Sequence, residues 1–293
     1  MRASSADRPV EGILWMLGTT FAFVGVNIIV HHIGTGVPAA QSAFLRFAWG
    51  LVFVAPGLVS LLRRPPSGRV WALFGLRGGL QSIAVLLWFY AMARIPMADV
   101  TAIGYLNPIV VTLGGAILLG EGLAWRRGLA IVVAILGALV ILRPGLREIA
   151  PGHLAQLVAS VFFGIAYLVM KRLTQVATPA QIVAMMTLAV TLCLAPLAIA
   201  GWQPIGLGDF LWLGLTALFA TLAHYCMTRA FASAPVTVTQ PVLFLQLVWA
   251  ALAGLVLFGE PVDPFVILGG GIIVAAVTYM AWREARIRGS RAA

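Results

Sequence analysis

The stretch AMARIPMADVTAIGYLNPIVVTLGGAILLGE, residues 91–121, returns as AFASAPVTVTQPVLFLQLVWAALAGLVLFGE, residues 230–260, at an offset of 139 positions and without a gap. Nine of the 31 aligned positions are identical. The informative identities stand at both borders of an apolar run: Pro96 with Pro235, and Gly120-Glu121 with Gly259-Glu260. A repeat of this length predicts a duplicated membrane protein, an architecture that is common among transporters.

Composition indicates that the chain lies in a lipid bilayer. Hydrophobic residues make up 61% of the 293 positions and charged residues 10%, with a mean hydropathy of +1.02, whereas soluble domains carry about 25% charged residues. The formal charge of +10 does not indicate a nucleic-acid partner, because the basic residues lie in short loops and in the tail, where they orient a membrane protein. Cys193 and Cys226 lie in apolar segments without metal-ligand spacing, so we expect no metal and no cofactor.

An α-helix needs about 20 apolar residues to cross the hydrocarbon core of a membrane. Cutting the chain at charges and at Gly/Pro clusters predicts an all-α integral membrane protein with ten transmembrane helices, at 12–31, 38–61, 71–93, 98–119, 126–142, 152–174, 179–200, 209–231, 236–258 and 264–282. The connections between these segments are short and leave no room for a soluble domain.

The duplication extends beyond the quoted stretch. At an offset of 140, Gly12, Leu14, Leu17, Phe23 and Gln41 match Gly152, Leu154, Leu157, Phe163 and Gln181. The repeat therefore covers five spans in each half, residues 1–146 and residues 147–293. Because five is odd, the two halves enter the membrane in opposite senses, which predicts an inverted repeat.

Basic residues predict the orientation of the chain. With the N-terminus inside, fourteen of the 19 Lys and Arg residues fall on the inner side and only Arg94, Arg143 and Arg147 on the outer side. Positive charge is retained on the cytoplasmic side of membranes, so both termini are predicted to be cytoplasmic.

Two arginines lie inside predicted spans, where a charge is costly and needs a role. Arg46 lies about 10 Å from the outer end of the second span at 1.5 Å per residue, and Arg77 lies a similar distance from the inner end of the third. Each could extend to the nearer membrane surface, or it could line the solute path and attract a carboxylate. Asp99 is the expected acidic partner of Arg46, and Glu121 that of Arg77.

Further polar and aromatic residues lie within the spans. Asn107-Pro108 is central in the fourth span, where proline leaves the carbonyl of Gly104 without its donor and bends the helix. Asn107 corresponds to Gln246 in the second copy, so two carboxamides at equivalent depth either face a central site or hydrogen-bond between helices. His224, in the eighth span, is a proton or solute contact or a packing residue. The remaining candidates for solute binding are Gln81, Trp88, Tyr90, Tyr105 and Tyr167.

The acidic residues are confined to span ends, loops and termini. The lack of a carboxylate at the middle of a span disfavours proton coupling through a buried Asp or Glu. The sequence contains no phosphate-binding loop, zinc-protease pattern or catalytic triad at comparable depth. It therefore predicts a protein that is not an enzyme.

The pattern YAMARIP…YLNPIVVTLGGAILLGE, repeated as AFASAP…AGLVLFGE, resembles the ten-span drug/metabolite transporter superfamily, specifically its EamA-type exporters, over nearly the whole chain. Within that group the chain is similar to the YddG-like exporters of aromatic and other amino acids. The resemblance implies a bacterial inner-membrane location, alternating access between two five-helix halves and a central cavity. The second copy has Leu247 in place of Pro108, so the kink is expected in the first half only.

These observations favour a secondary exporter of amino acids that acts as a monomer, with the lipid bilayer and a small-molecule solute as its partners. Export of another metabolite or a drug is the alternative within transport, and a membrane enzyme or lipid scramblase is a remote one. The paired Gly-Glu ends fall on opposite sides of the membrane. Glu121 is therefore expected to close the cytoplasmic end of the bundle, and Glu260 the external end.

Overall fold

The computed structural model describes residues 9–63, 67–107, 109–110, 114, 125–143, 148–173, 176–233 and 242–292. Within these ranges the chain forms helices and no strand, which confirms the all-α prediction. The helices are α1 (Pro9–Ile33), α2 (Ala39–Arg63), α3 (Gly68–Met92), α4 (Met97–Gly104), α5 (Trp125–Leu142), α6 (Pro151–Leu173), α7 (Pro179–Ala200), α8 (Leu207–Ser233), α9 (Leu245–Phe258) and α10 (Pro264–Ala292).

Six of these helices are long and apolar enough to cross a membrane: α1, α2, α3, α6, α7 and α8. Shorter apolar helical stretches lie in α5, α9 and α10. Each predicted segment contains one of these helices, and most of the described borders agree within a few residues. In the fourth segment α4 ends at Gly104, and the described residues 107, 109–110 and 114 are again helical.

The end of α4 agrees with the bend expected from Pro108, although Pro108 itself lies outside the described residues. Beyond Gly104 the amides of Tyr105 and Leu106 bond to carbonyls three residues back, Ala102 and Ile103, at 3.2 and 3.0 Å. Such tightened turns replace the regular four-residue ladder where a proline removes a donor.

Helix packing across the two halves follows the symmetry of the sequence repeat. The four most extensive contacts between the halves are α1 with α8, α3 with α6, α2 with α7, and α5 with α10, and α4 also contacts α9. Exchanging the two copies converts the α1–α8 contact into the α3–α6 contact. The same exchange leaves the α2–α7, α5–α10 and α4–α9 contacts unchanged. The rings of Tyr105 and Phe244, which are equivalent residues 139 apart, contact each other with centroids separated by 5.0 Å.

Small residues allow some of these helices to approach closely. A methyl group added at Gly137 of α5 would lie 2.8 Å from the carbonyl oxygen of Gly269 in α10, and one added at Gly269 would lie 2.5 Å from that of Gly137. The backbones of α5 and α10 therefore meet without intervening side chains, as is common between membrane helices.

Equivalent residues in the two copies do not always have the same role. Thr178 and Gln181 form a capping box that starts α7, with N–H···O distances of 3.0 and 3.3 Å. Gln41, the counterpart of Gln181, instead donates to the carbonyl of Gln203 at 2.8 Å and accepts from its amide at 2.9 Å. Gln41 thus ties the first half to the loop between α7 and α8.

Candidate functional site

Four polar side chains from both halves interact inside the bundle, and we call Arg46, Arg77, Tyr167 and His224 the central cluster. Arg46 and Arg77 both interact electrostatically with His224. Arg77 also interacts electrostatically with Tyr167. Since these residues belong to α2, α3, α6 and α8, the cluster lies between the two halves of the chain.

Arg46, like Arg77, has no acidic partner among the described residues. Its guanidinium group lies 4.0 Å from the centroid of the Phe47 ring, and it forms no ion pair with any described carboxylate. The expected pairing with Asp99 is wrong, because Asp99 is buried on α4 against α6, where its Oδ2 lies 2.9 Å from Nε2 of His153. A deep cation without a counter-ion attracts an anionic group.

Arg77 has a different role and joins helices. Only 4% of this residue is exposed. Its Nη1 donates to the carbonyl of Ile182 at 3.0 Å and its Nη2 contacts Sδ of Met186 at 3.4 Å, so it links α3 to α7 in the other half. The side chain therefore does not extend to the membrane surface. Its expected partner, Glu121, lies outside the described residues.

Aromatic rings form the walls beside the central cluster. Tyr167 is 38% exposed and interacts electrostatically with Arg77. Phe163 stacks one turn away on the same helix, with centroids 6.3 Å apart. The His224 ring meets Phe23 of α1 edge-on at 5.5 Å. Phe23 and Phe163 are repeat-equivalent residues, so each copy contributes a phenyl ring.

Carboxamides of the third and fourth spans offer unused hydrogen-bonding atoms. Oδ1 of Asn107 and Oε1 of Gln81 are buried and make no hydrogen bond with the described part of the chain. An unsatisfied buried acceptor costs about 1–3 kcal/mol, so these oxygens suit a bound solute or water. Gln246, the counterpart of Asn107, is half-buried near the start of α9.

Three of the aromatic candidates make contacts within the protein. The hydroxyl group of Tyr105 donates to the carbonyl of Phe244 at 3.2 Å and joins α4 to α9. The Tyr90 ring lies 3.8 Å from the guanidinium carbon of Arg94. Trp88 meets Phe89 edge-on at 5.1 Å and packs against the apolar core. The roles of these three residues in solute binding stay predictions.

The second group of polar contacts lies at one end of the bundle, which we call the Glu260 end. Oε1 of Glu260 lies 3.0 Å from Nε2 of His31 in α1, and Oε2 accepts from the amide of Met97, the first residue of α4, at 3.2 Å. Nδ1 of His31 lies 2.6 Å from the carbonyl oxygen of Met92, the last residue of α3. A single carboxylate of the second half therefore contacts α1 and α4 of the first, and His31 links α1 to α3.

Two further charged pairs cross between the halves at this end. Asp99 on α4 pairs with His153 on α6. Arg143, which follows α5, pairs with Asp263, which precedes α10. A pocket of about 220 Å³ lies among these groups, lined by residues that include Asp99, Arg143, Glu260 and Asp263. Within the described ranges, no three His, Cys, Asp or Glu side chains converge as metal ligands.

The sequence reasoning did not find His31 or His153. His31 lies in the last turn of a predicted span, a position where a basic residue is ordinary. One signal was present in the repeat: at the offset of 140, His31 aligns with Lys171, so both copies carry a basic residue at that position. His153 aligns with Ile13, and the sequence held no comparable signal for it.

Known proteins match this chain along nearly its full length. The sequence profile of the EamA-like transporter family matches residues 10–143 and again residues 150–282. A riboflavin transporter of Vibrio cholerae is 28% identical over 98% of this chain and 99% of its own. The pseudopaline exporter CntI of Pseudomonas aeruginosa is 27% identical over 91% of this chain and 94% of its own. An S-adenosylmethionine uptake transporter of Rickettsia prowazekii is 21% identical over 96% of both chains.

A solved crystal structure shares the fold. It covers 98% of this chain and 99% of its own, with a TM-score of 0.58 at 20% sequence identity. Similarity at this level concerns the fold and not the transported solute.

Proposed function

Because the chain belongs to the EamA-like transporter family, we propose that it is a secondary exporter of amino acids, aromatic and other neutral ones first, that works by alternating access. Family membership and the transport functions of its relatives identify it as a multi-pass membrane transporter of small molecules and not as an enzyme. The solute class, the direction of transport and the residues that bind the solute are the proposal.

The proposed topology has ten spans in two inverted halves, residues 1–146 and 147–293, in a bacterial inner membrane. The symmetric pairing of helices across the halves supports the inverted repeat. The excess of Arg and Lys on one side supports cytoplasmic termini. In this topology the Glu260 end faces the exterior of the cell, and the protein works as a monomer, since one chain contains both halves of the solute path.

The observation that carries the proposal is Arg46. It is a guanidinium group within the bundle that has no ion-pair partner among the described residues and interacts electrostatically with His224 of the other half. A carboxylate satisfies such a group with two parallel hydrogen bonds, and every free amino acid carries one. Arg46 is therefore the proposed anchor for the solute carboxylate.

The remaining groups of an amino acid also have matching atoms. The free oxygens of Gln81 and Asn107 are acceptors that suit an ammonium group. Phe23, Phe163 and Tyr167 offer ring faces and edges to an aromatic side chain. Gln246 and His224 remain proposed contacts from the second half.

The relatives support a second candidate, a larger organic metabolite. Their named solutes are riboflavin, pseudopaline and S-adenosylmethionine, none of which is a simple amino acid. A solute with both a carboxylate and an aromatic ring system would use the same cation and the same aromatic walls. The solute panel that tests the proposal therefore includes these three compounds.

Counterflow into proteoliposomes tests the proposed solute class. Vesicles loaded with an unlabelled compound should take up the labelled amino acid when the compound is a substrate. We expect exchange of phenylalanine, tyrosine and neutral aliphatic amino acids. Exchange of riboflavin or pseudopaline without any amino acid would favour the second candidate, and no exchange across the amino-acid panel would refute the first.

Substitution of Arg46 tests the proposed anchor. A charge-assisted hydrogen bond contributes about 1.5–3 kcal/mol, so Arg46→Ala should raise the solute concentration for half-maximal exchange by about 10- to 100-fold. The melting temperature should change little, because no described ion pair is lost. Arg94→Ala is the matched control, since Arg94 is exposed and contacts the Tyr90 ring and carbonyl. Equal half-maximal concentrations in both variants would contradict the role of Arg46.

A further inference from the structure

The hydrogen bonds of His31 determine which of its ring nitrogens carries a proton. Nδ1 lies 2.6 Å from the carbonyl oxygen of Met92. A carbonyl oxygen can only accept, so Nδ1 is the donor in this contact. In a neutral imidazole the other nitrogen, Nε2, is then an acceptor with a lone pair pointing outward.

That second nitrogen faces a carboxylate. Nε2 of His31 lies 3.0 Å from Oε1 of Glu260. Two acceptors at this distance repel each other unless a proton lies between them. Oε2 of Glu260 already accepts from the amide of Met97, which favours the ionised carboxylate and a protonated imidazole. The contact as observed therefore contains one proton more than a neutral histidine beside an ionised glutamate.

The charged neighbours of this pair come from all of the helices around it. They are Arg94 at the end of α3, Asp99 on α4, Arg143 after α5, His153 on α6 and Asp263 before α10, with His32 adjacent on α1. Arg143 compensates the charge of Asp263. His153 contacts Asp99. Arg94 contacts the Tyr90 ring and carbonyl, and His32 meets Trp212. Among the described residues, His31 is therefore the ionisable side chain that pairs with the Glu260 carboxylate.

We propose that the closed Glu260 end is a proton-binding site, at which His31 and Glu260 together take up one proton from the adjacent water when the two halves close. Opening separates α9 from α1 and α4, so the carboxylate and the imidazole become independent. At neutral pH a free histidine is mostly neutral and a free glutamate is ionised, and the proton returns to the water. This inference rests on the closure proposed above and is independent of the identity of the solute.

The sign of the pH dependence follows from this proton count. The closed state binds one proton more than the open state above about pH 6.5, the ordinary range of histidine. The ratio of open to closed protein should therefore rise about tenfold for each pH unit above this value. Below it the ratio should level off, because His31 is then protonated in both states.

Distance measurements between spin labels test the proposal without any solute. Thr35→Cys, in the exposed loop after α1, and Val262→Cys, in the loop after α9, place one label on each half. The native cysteines are replaced in this background by Cys193→Ser and Cys226→Ala. Pulsed electron resonance on protein in nanodiscs, from pH 5.5 to pH 9, then gives the populations of short and long distances.

Two substitutions test whether closure through the contact between residues 31 and 260 requires a proton. In Glu260→Gln the carboxamide nitrogen can donate to neutral Nε2 of His31 while its oxygen accepts from the Met97 amide, so closure needs no proton. The slope with pH should disappear in this variant, and also in His31→Gln, which decides the question if Glu260→Gln fails to fold. His153→Gln should keep the slope of the wild type.

A wild-type distribution that does not change with pH, including one that is closed throughout, would overturn the proposal. So would a slope that persists in both Glu260→Gln and His31→Gln. A slope lost only in His153→Gln would assign the proton to Asp99 and His153 instead. Because no solute is present, these outcomes are separate from success or failure of the amino-acid panel.

Discussion

Two glycines determine where the Glu260 carboxylate lies. Gly259 has φ of +66°, a backbone conformation that glycine adopts without steric cost, and it ends α9 so that the chain folds back. Gly254 faces the returning side chain, because a methyl group added there would lie 2.5 Å from Oε2 of Glu260. The first copy has the same spacing in Gly115, Gly120 and Glu121. In the second copy the Gly-Glu border is therefore part of a longer pattern that places a carboxylate over the end of α9, and the same spacing in the first copy predicts an equivalent arrangement there.

Gly254→Ala should displace this carboxylate without unfolding the protein. The atom in conflict is the far end of a flexible side chain, so Glu260 moves and its contacts with His31 and Met97 weaken. We expect a larger population of long distances between labels at Thr35→Cys and Val262→Cys at a fixed pH of about 7, with little change in melting temperature. Gly271→Ala is the control, because nothing lies within 4 Å of the added methyl group. Identical distance distributions in the two variants would show that Gly254 does not position Glu260.

At the residue level, the sequence identified Arg46 and Arg77 as charged residues within helices but did not identify their partners. Arg46 could be recognised as a charge inside a span from the sequence alone. Its pairing with Asp99 was wrong, because the rotation of α4 about its axis directs Asp99 toward His153. A one-dimensional pattern contains the depth of a residue but not the direction of its side chain. The roles of Arg46 and Glu260 in transport remain predictions.

Helix borders were predictable because charges, prolines and glycines mark them. Pro179 and Pro264 each begin a helix where the sequence placed one, and α4 ends at Gly104, four positions before Pro108 in the sequence. Which helices pack against each other was harder to predict from the sequence. The sequence repeat predicted two copies, whereas the packing of α1 on α8 and of α3 on α6 depends on side-chain shape across the halves.

The crossing of α5 and α10 is one example of packing that depends on the size of the side chains between two helices. Gly137 and Gly269 bring the two backbones into contact, and a methyl group on either would meet a carbonyl oxygen of the other helix at 2.8 or 2.5 Å. Backbone atoms cannot rotate away as a side chain can, so the helices themselves would have to separate. Small residues therefore set the close approach of these two helices, and the ion pair of Arg143 with Asp263 joins their ends.

Gly137→Ala should destabilise the protein through this crossing. Overpacking at a close contact costs about 1–3 kcal/mol, which should lower the melting temperature in detergent by several degrees. Gly128→Ala on the same helix is the matched control, because an added methyl group there meets nothing within 4 Å. It should leave the melting temperature unchanged or raise it slightly, since alanine favours helix. A Gly137→Ala variant as stable as this control would contradict the described crossing.

At the scale of the whole molecule, the repeat relates the two ends of the bundle. The copies align His31 with Lys171 and Glu260 with Glu121, so each carries one basic and one acidic residue at corresponding positions. Glu121 lies outside the described residues, and its proposed role in closure rests on this correspondence alone. Alternating access requires that one end is closed while the other opens. Two equivalent acid–base pairs at opposite ends would provide two competing closures.

Removing either carboxylate should shift this competition in opposite directions. Thr221→Cys lies three residues before His224 on the same face of α8 and reports on access to the central cluster. In cells, Glu260→Ala should speed its labelling by an impermeant thiol reagent from the outside severalfold, because the external closure is lost. Glu121→Ala should slow that labelling, because the cytoplasmic end then opens more often and the external end closes. Glu148→Ala, an exposed carboxylate in the loop before α6, should leave the rate unchanged. A change of the same sign in Glu260→Ala and Glu121→Ala would show that the two ends are not alternative closures of one inverted pair of halves.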